Sequence, residues 1–363
     1  MAHARRGGGL TRSGAALSFF HVVPDAGDTG EGVRMMPGDA MRSVPPDAVH
    51  AAVDQLRAHL ESGLAGGAAL AGRLLTGLLA GGHLLVEGAP GLAKTRAVKL
   101  LAQGLGAPFA RIQCTPDLMP ADLTGTSVWR QDKGAFEFVA GPVFHSLVLV
   151  DEINRAPPKV QSALLEAMAE HQVTAAGVTR VLPEPFMVVA TQNPIEHEGT
   201  FPLPEAQLDR FMLHVEVHLP DATVERQILD LVEREASAPP AVFAPLSPGD
   251  IAAAKAAAMR VHLSPAVKDF IVRLVTAARS PAVAPDLHAR IEHPASPRGT
   301  LALAACAKAS AWLAGRDHVL PADVQALAPD ILAHRTILTW RALADGETSR
   351  SVIQAYLARV HPV

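Results

Sequence analysis

A glycine-rich segment that ends in a lysine and a threonine is the clearest candidate for phosphate chemistry. The segment Gly88-Ala89-Pro90-Gly91-Leu92-Ala93-Lys94-Thr95 follows a short apolar run and precedes a helical pattern. Backbone N–H groups in such a turn surround phosphate oxygens, and the N-terminus of the following helix adds a favourable field. Lys94 supplies a mobile positive charge, and the Thr95 hydroxyl can bind magnesium. The segment is therefore predicted to bind the phosphates of a nucleotide.

Ala93 departs from the general phosphate-loop pattern, which places glycine directly before the lysine. The order of apolar strand, turn, Lys-Thr pair and helix nevertheless fits the motif. The alternative interpretation is a Gly-Pro turn that carries Lys94 and Thr95 by coincidence.

Two adjacent acids follow a second apolar run. Residues 146–150 predict a buried strand, and Asp151 and Glu152 stand at its carboxyl end, where parallel sheets bind their ligands. We expect Asp151 to hold magnesium and Glu152 to orient and deprotonate an attacking water. Taken alone, the two acids would favour a helix N-cap. Their order after the phosphate loop, about 60 residues downstream, favours nucleotide hydrolysis.

Asn193 follows a third apolar run, residues 186–191. A strand there ends at the same edge of the sheet, so Asn193 is predicted to hydrogen-bond the terminal phosphate or the attacking water. The dipeptide Asn193-Pro194 is, by itself, an ordinary turn signal.

The elements that position these side chains alternate along the chain. Helical spacing of apolar residues predicts helices from about residue 45 and over residues 70–79. Strands are predicted over residues 83–86, 110–114, 147–150, 186–191 and 212–219. Helical patterns between most of them predict a parallel sheet covered on both faces.

The predicted fold class is α/β, a nucleotide-binding αβα sandwich with a C-terminal all-helical domain. Residues 1–45 are predicted to be a disordered tail and residues 46–235 the sandwich. Residues 236–248 are rich in proline and predict a linker, and only helical patterns follow over residues 249–363.

The composition limits which classes of partner and which cellular compartment we expect. The net charge is −4 and no long basic run exists, which weighs against nucleic acid as a partner. The two cysteines, Cys114 and Cys306, have no metal-binding spacing and fit a reducing cytoplasm. The most apolar stretch, residues 64–86, contains Arg73, His83 and six glycines, so no transmembrane segment is predicted.

Beyond these motifs, the sequence resembles the MoxR family of AAA+ ATPases from about residue 45 to the C-terminus. The resemblance is carried by the segments Gly82 to Thr95, Asp151 to Met168, Ala190 to Pro194, Phe201 to Phe211 and Ser296 to Arg298. It implies the AAA+ sandwich with a helical lid domain, ATP and Mg²⁺ as cofactors, and ATP hydrolysis. Alanine at position 93 is ordinary in this family.

The resemblance also implies roles for residues outside the phosphate loop. Asn193 matches sensor 1, and Arg298 matches sensor 2, a lid arginine that reads the γ-phosphate. Arg210 matches the arginine finger that reaches the neighbouring subunit's nucleotide, which requires a homo-oligomer, usually a hexameric ring. Arg155 matches a further interface contact. An arginine at such positions is otherwise most often solvated or paired at the surface.

A client protein is implied in the same way. The family often remodels or matures a partner with a von Willebrand factor A domain, sometimes inserting a metal or cofactor. Residues 116–141 and 171–184 match inserts that face the ring pore or a client, so Trp129 and Phe136 are candidate contacts, although packing within the insert explains them equally well. The rival functions are an ATP-controlled binding module with little turnover and a DNA-remodelling motor.

One departure from the family pattern concerns recognition of the adenine base. Family members usually carry a Gly-Gln pair near the adenine pocket, where this chain has Gly66-Gly67. Adenine recognition is therefore expected to rest on backbone groups and apolar side chains.

Overall fold

The apolar runs of the sequence form the strands of the central sheet. The structure is a computed structural model, and it describes residues 46–89, 91–193, 199–237 and 243–362. The strands are β1 (Leu84–Gly88), β2 (Phe109–Gln113), β3 (Gly125–Arg130), β4 (Ala135–Ala140), β5 (Leu147–Asp151), β6 (Gln172–Ala175), β7 (Val178–Val181), β8 (Met187–Gln192), β9 (Leu213–Val217), β10 (Ile291–His293) and β11 (Ile337–Leu338).

Five of these strands build one parallel sheet in the order β2-β5-β8-β1-β9. We call the side where these strands end, at Gly88, Asp151 and Gln192, the carboxyl edge. The side where they begin, next to His83 and Met212, is the amino edge. Because the strands are parallel, side chains that follow different strands meet at the carboxyl edge.

Helices cover both faces of the sheet and make up most of the C-terminal region. They are α1 (Pro46–Ser62), α2 (Ala68–Ala80), α3 (Lys94–Leu105), α4 (Pro120–Thr124), α5 (Pro158–Glu170), α6 (Glu205–Leu208), α7 (Ala222–Ser237), α8 (Pro248–Arg260), α9 (Pro265–Ala277), α10 (Pro285–His288), α11 (Pro297–Leu313), α12 (Pro321–Leu332), α13 (Trp340–Ala344) and α14 (Ser349–Arg359). Turns of 3₁₀ helix span Pro142–Phe144, Ile153–Arg155 and Ala333–Arg335.

Alternation along the strands sends neighbouring side chains into two separate cores. Leu147 and Leu149 of β5 face the core that contains α1, α2, α3 and the lid helices, whereas Val148 and Val150 face the core that contains α5. The first core runs without interruption into the lid, so lid and sandwich share one apolar interior. A strand that is buried on both faces must be apolar throughout, which explains the unbroken run of residues 147–150.

The lid is helical, as predicted, with one addition. Strands β10 and β11 pair in an antiparallel ribbon that the helical patterns did not indicate. Both strands are too short, at three and two residues, to show an alternating pattern.

Two hairpins project from the sandwich, within the two segments that match inserts of the family. Strands β3 and β4 pair over residues 125–140, and β6 and β7 pair over residues 172–181. The second hairpin turns at Ala176 and Gly177, which both have positive φ angles. The Arg180 guanidinium of this hairpin lies 3.6 Å from the ring centroid of Phe138 in the other, so a cation–π contact joins the two.

Several predicted segments lie outside the described residues. They are the tail over residues 1–45, Pro90 of the phosphate loop, Pro194, and residues 238–242 of the linker. Residues 243–247 form no helix or strand, and the domain boundaries at 236–248 stay a prediction. In the part of the chain that the structure describes, no helix has the length and apolar character needed to cross a membrane.

Candidate active site

The phosphate loop connects the end of β1 to the start of α3. Gly88 is required by a close approach, since a Cβ atom at this position would lie 2.5 Å from the carbonyl oxygen of Val217. Ala93 adopts the left-handed conformation, with φ of 53°, directly before the first residue of α3. Glycine suits this conformation better, so the alanine is mildly strained.

Lys94 is the first residue of α3 and curls back over the loop. Its Nζ donates a hydrogen bond to the carbonyl oxygen of Gly88. Burial lowers the pKa of Lys94, while the carboxylates of Asp151 and Glu152 oppose that shift. The lysine therefore stands between the loop and the two acids, where an outer phosphate group of a bound nucleotide would need a positive charge.

Asp151 ends β5 as a buried carboxylate with three partners. Its Oδ2 accepts from Arg111 Nε at 2.6 Å and faces Thr95 Oγ1 at 3.4 Å, and its Oδ1 accepts from Thr191 Oγ1 at 3.2 Å. Two hard oxygen ligands, the Thr95 hydroxyl and Asp151 Oδ2, thus face the same point beside the phosphate loop.

These two oxygens fit magnesium, which is usually held by one or two protein oxygens together with phosphates and waters. Among the described residues no group of three or more His, Cys, Asp or Glu side chains could hold a metal ion by itself. Thr95 and Asp151 would hold the ion only together with a bound nucleotide.

Glu152 is held in an unusual backbone conformation at the same edge. Its φ of 58° lies in the left-handed region, and its N–H donates to Thr191 Oγ1 at 3.0 Å. Its Oε2 accepts from Gln113 Nε2 at 3.1 Å and from Arg155 at 3.2 Å. Strain of this kind at a non-glycine residue often accompanies function.

Asn193 follows β8 at the carboxyl edge and is buried. The structure therefore brings the described residues of the phosphate loop, Asp151, Glu152 and Asn193 to one edge of the sheet, as the sequence predicts.

Arg210 and Arg298 lie at the opposite edge. Arg210 precedes β9, where the backbone N–H of Met212 donates to the carbonyl oxygen of His83 at the start of β1. Both arginines line one cavity of about 370 Å³ together with His83. A five-residue strand spans roughly 16 Å, so neither arginine reaches the phosphate loop of its own chain. The reading of the γ-phosphate by Arg298 therefore stays a prediction.

Four contact residues were missed from the sequence. Arg111, Gln113 and Thr191 touch the two acids, and Arg335 holds the turn beside Arg210. Register offers a signal for one of them, since Gln113 lies opposite Asp151 once β2 is placed beside β5. Arg155 was expected at a subunit interface, and the structure places its guanidinium on Glu152.

The two cysteines are not activated as nucleophiles. Cys114 and Cys306 are both buried, free thiols. Burial raises the pKa of each to about 12, so both stay protonated at neutral pH.

Comparisons with known proteins agree with the geometry. The family model described as "ATPase family associated with various cellular activities (AAA)" matches residues 83–213, and the model for the AAA lid domain matches residues 284–356. A solved structure from Cytophaga hutchinsonii, described as a candidate ATPase, superposes with a TM-score of 0.81 at 40% identity and covers 88% of this chain and 97% of that one.

Sequence relatives narrow the family further. Chaperone MoxR1 of Mycobacterium tuberculosis is 46% identical over 290 residues, which are 79% of this chain and 76% of that protein. Protein MoxR of Methylorubrum extorquens is 35% identical over 289 residues, 73% of this chain and 82% of that protein. With a phosphate loop, paired acids at the carboxyl edge and a helical lid, the chain belongs to the MoxR family of AAA+ ATPases.

Proposed function

We propose that this chain hydrolyses ATP with magnesium, in a ring of identical subunits, and uses the energy to remodel a partner protein. The observation that carries the proposal is the separation of the two sets of groups. The phosphate loop, Asp151 and Glu152 lie at the carboxyl edge, whereas Arg210 and Arg298 lie at the amino edge. At the first edge Arg111 and Arg155 pair with the two acids, so a nucleotide there would depend on a neighbouring chain for Arg210 and Arg298.

Each group at the carboxyl edge has a distinct task in this proposal. Backbone N–H groups and Lys94 bind the phosphates, and Thr95 and Asp151 hold the magnesium ion, which neutralises phosphate charge when bound. Glu152 accepts the proton of the attacking water once nucleotide binding frees its carboxylate from Gln113. Asn193 orients that water or the γ-phosphate.

The amino edge completes the neighbouring site. Arg210 and Arg298 of one subunit offset the charge that develops on the phosphoryl group bound to the next subunit. Head-to-tail contacts of this kind close into a ring, and a hexamer is the stoichiometry we propose. Hydrolysis per subunit should then rise with protein concentration as rings assemble, and a fully active monomer would exclude this part of the proposal.

A chaperone-like role is supported by a relative and by one exposed surface. The relative from Mycobacterium tuberculosis is named a chaperone. On the first hairpin, Trp129 and Phe136 form an exposed edge-to-face pair with ring centroids 5.2 Å apart. We propose that this pair contacts a client, such as a protein with a von Willebrand factor A domain, in the cytoplasm.

Glu152→Gln tests the hydrolysis directly. Because a positioned general base contributes about 100-fold or more, turnover should fall by at least that factor while ATP still binds. The matched control is Glu233→Gln, an exposed glutamate on α7, which should leave both quantities unchanged. Equal turnover in wild type and Glu152→Gln would exclude the enzyme and leave an ATP-controlled binding module.

A further inference from the structure

Arg335 is a buried arginine that joins the lid to the turn before β9. Its side chain is only 3% exposed. The guanidinium donates to Asp209 Oδ1 at 2.8 Å, to the carbonyl oxygen of Phe211 at 2.6 Å and to that of Ile331 at 2.5 Å. It also reaches the carbonyl oxygens of Asp209 and Met212, at 3.1 and 3.3 Å. One planar group therefore fixes both the lid helix α12 and the turn of the sandwich.

Asp209 carries this connection on to a second lid helix. Its Oδ2 accepts from Ser296 Oγ at 3.1 Å and lies 3.6 Å from Nη1 of Arg298. Ser296 is the N-cap of α11, and its Oγ accepts from the backbone N–H of Arg298. The carboxylate of Asp209 thus touches the helix that carries Arg298, and Asp209 is itself the chain neighbour of Arg210.

The geometry points to Arg335 as a positioning residue that holds Arg210 and Arg298 together as one unit for the neighbouring subunit's nucleotide. This inference rests on the proposed delivery of these two arginines to a neighbour. Through Asp209, Arg335 links the turn of Arg210 to the start of α11, so one arginine cannot shift without disturbing the other. The fixed fork of a guanidinium is needed for this, because a lysine at position 335 has the charge but cannot reach the carboxylate and the carbonyl oxygens at once.

Arg335→Lys and Asp209→Asn test the inference without removing the buried polar groups altogether. We expect kcat to fall about 10-fold or more in each, because misplacing a catalytic group by about 1 Å costs up to 100-fold. The affinity for ATP should stay within about twofold, since the phosphate loop is at the other edge.

Arg73→Met is the matched control. Arg73 also joins the sandwich to the lid, since its guanidinium donates from α2 to Asp330 Oδ2 at 2.6 Å and to the carbonyl oxygen of Ala326 at 2.7 Å. It is not part of the connection to Arg210 and Arg298. A variant that only loosens lid and sandwich should therefore keep its kcat.

Mixing subunits shows on which nucleotide Arg335 acts. Arg335→Lys has an intact Glu152, and Glu152→Gln has an intact amino edge, so a mixture should exceed the sum of the two separate activities. Arg210→Ala mixed with Glu152→Gln is run in parallel. If that mixture is not restored, the proposed delivery between subunits fails. If it is restored but the Arg335→Lys mixture is not, the inference about Arg335 alone fails.

Two further results would overturn the positioning role. One is an unchanged kcat in both Arg335→Lys and Asp209→Asn. The other is an equal loss of kcat in Arg73→Met, which would assign the effect to general lid attachment. If one of the two variants does not fold, the other decides by the same measurements.

Discussion

Each edge of the central sheet contains an arginine–aspartate pair, and the two pairs differ in the burial of the arginine rather than in length. Arg111 donates to Asp151 at 2.6 Å at the carboxyl edge, and Arg335 donates to Asp209 at 2.8 Å at the amino edge. The Arg111 side chain is 47% exposed and the Arg335 side chain 3% exposed, whereas their partners Asp151 and Asp209 are 9% and 20% exposed.

Burial decides how readily each pair can be exchanged. Asp151 is buried but Arg111 is half exposed, so water or a bound cation can take the place of this guanidinium on the carboxylate, and we treat the contact like an exposed pair worth about 0–1 kcal/mol. Removing the buried Arg335 is expected to cost about 3–5 kcal/mol, because Asp209 would keep only the looser contact with Arg298 and two carbonyl oxygens would lose this donor. We therefore expect the contact of Arg111 with Asp151 to exchange when a ligand binds, and the contact of Arg335 with Asp209 to persist.

Substituting the two arginines should give the largest contrast. We expect Arg335→Met to lower the free energy of unfolding by about 3–5 kcal/mol, and Arg111→Met to lower it by less, because the half-exposed position of Arg111 lets water replace the guanidinium. Denaturant unfolding of both variants and wild type measures the difference. Equal losses would show that burial does not distinguish the two pairs.

The amino edge should also be the pH-sensitive one. His83 Nδ1 accepts from the backbone N–H of Val188 at 3.0 Å, and its Nε2 lies 3.2 Å from the carbonyl oxygen of Met168. Burial lowers the pKa of His83 to about 4. The unfolded chain, with an ordinary pKa near 6.5, then binds more protons, so stability is complete above that pH and is lost as the pH falls towards 4.

Denaturant unfolding at pH 7 and pH 5 measures the contribution of His83 to the stability. Two-state linkage gives a loss of about 2 kcal/mol for His83 between these values. His83→Gln has no titrating ring. Its loss of unfolding free energy between pH 7 and pH 5 should therefore be smaller than that of wild type by about 2 kcal/mol. An identical pH dependence in both proteins would contradict the assignment, because other buried histidines such as His334 are unchanged by the substitution.

At the carboxyl edge, the exchangeable contact between Arg111 and Asp151 predicts a change in the affinity for Mg²⁺. Arg111→Met frees Asp151 Oδ2, so Mg²⁺ should bind the nucleotide complex about 2- to 5-fold more tightly, in line with the small energy of an exposed pair. A Mg²⁺ titration of a fluorescent ADP analogue on the protein measures this without turnover. Arg130→Met, which removes an exposed pair with Glu137 on the first hairpin, is the control. Weaker binding in Arg111→Met would mean that the guanidinium supports the metal site.

The smallest effect concerns the loop backbone. Ala93→Gly removes the strain of a left-handed alanine but adds freedom to the unfolded chain, so we expect stability to change by less than about 1 kcal/mol. ATP affinity should be unchanged, since the backbone N–H groups keep their positions. A large loss of affinity would mean that the methyl group of Ala93 itself shapes the loop.

The sequence by itself determined the sandwich, the carboxyl-edge site and the helical lid. Apolar runs marked each central strand to within about two residues at most boundaries. Each residue of a strand that is buried on both faces must be apolar. Such a strand therefore appears in the sequence as a run of consecutive apolar residues. The placement of Asp151, Glu152 and Asn193 at one edge of the sheet then follows from the parallel direction of the strands.

Only the tertiary structure decided which side chains hold these groups. Arg335 and Asp209 are 126 positions apart, and Arg111 and Asp151 are 40 apart. Their contacts depend on strand order and on how the lid packs, and local periodicity carries no information on either. The structure likewise decided that Arg298 lies beside the turn before β9, because the start of α11 is anchored to that turn through Asp209.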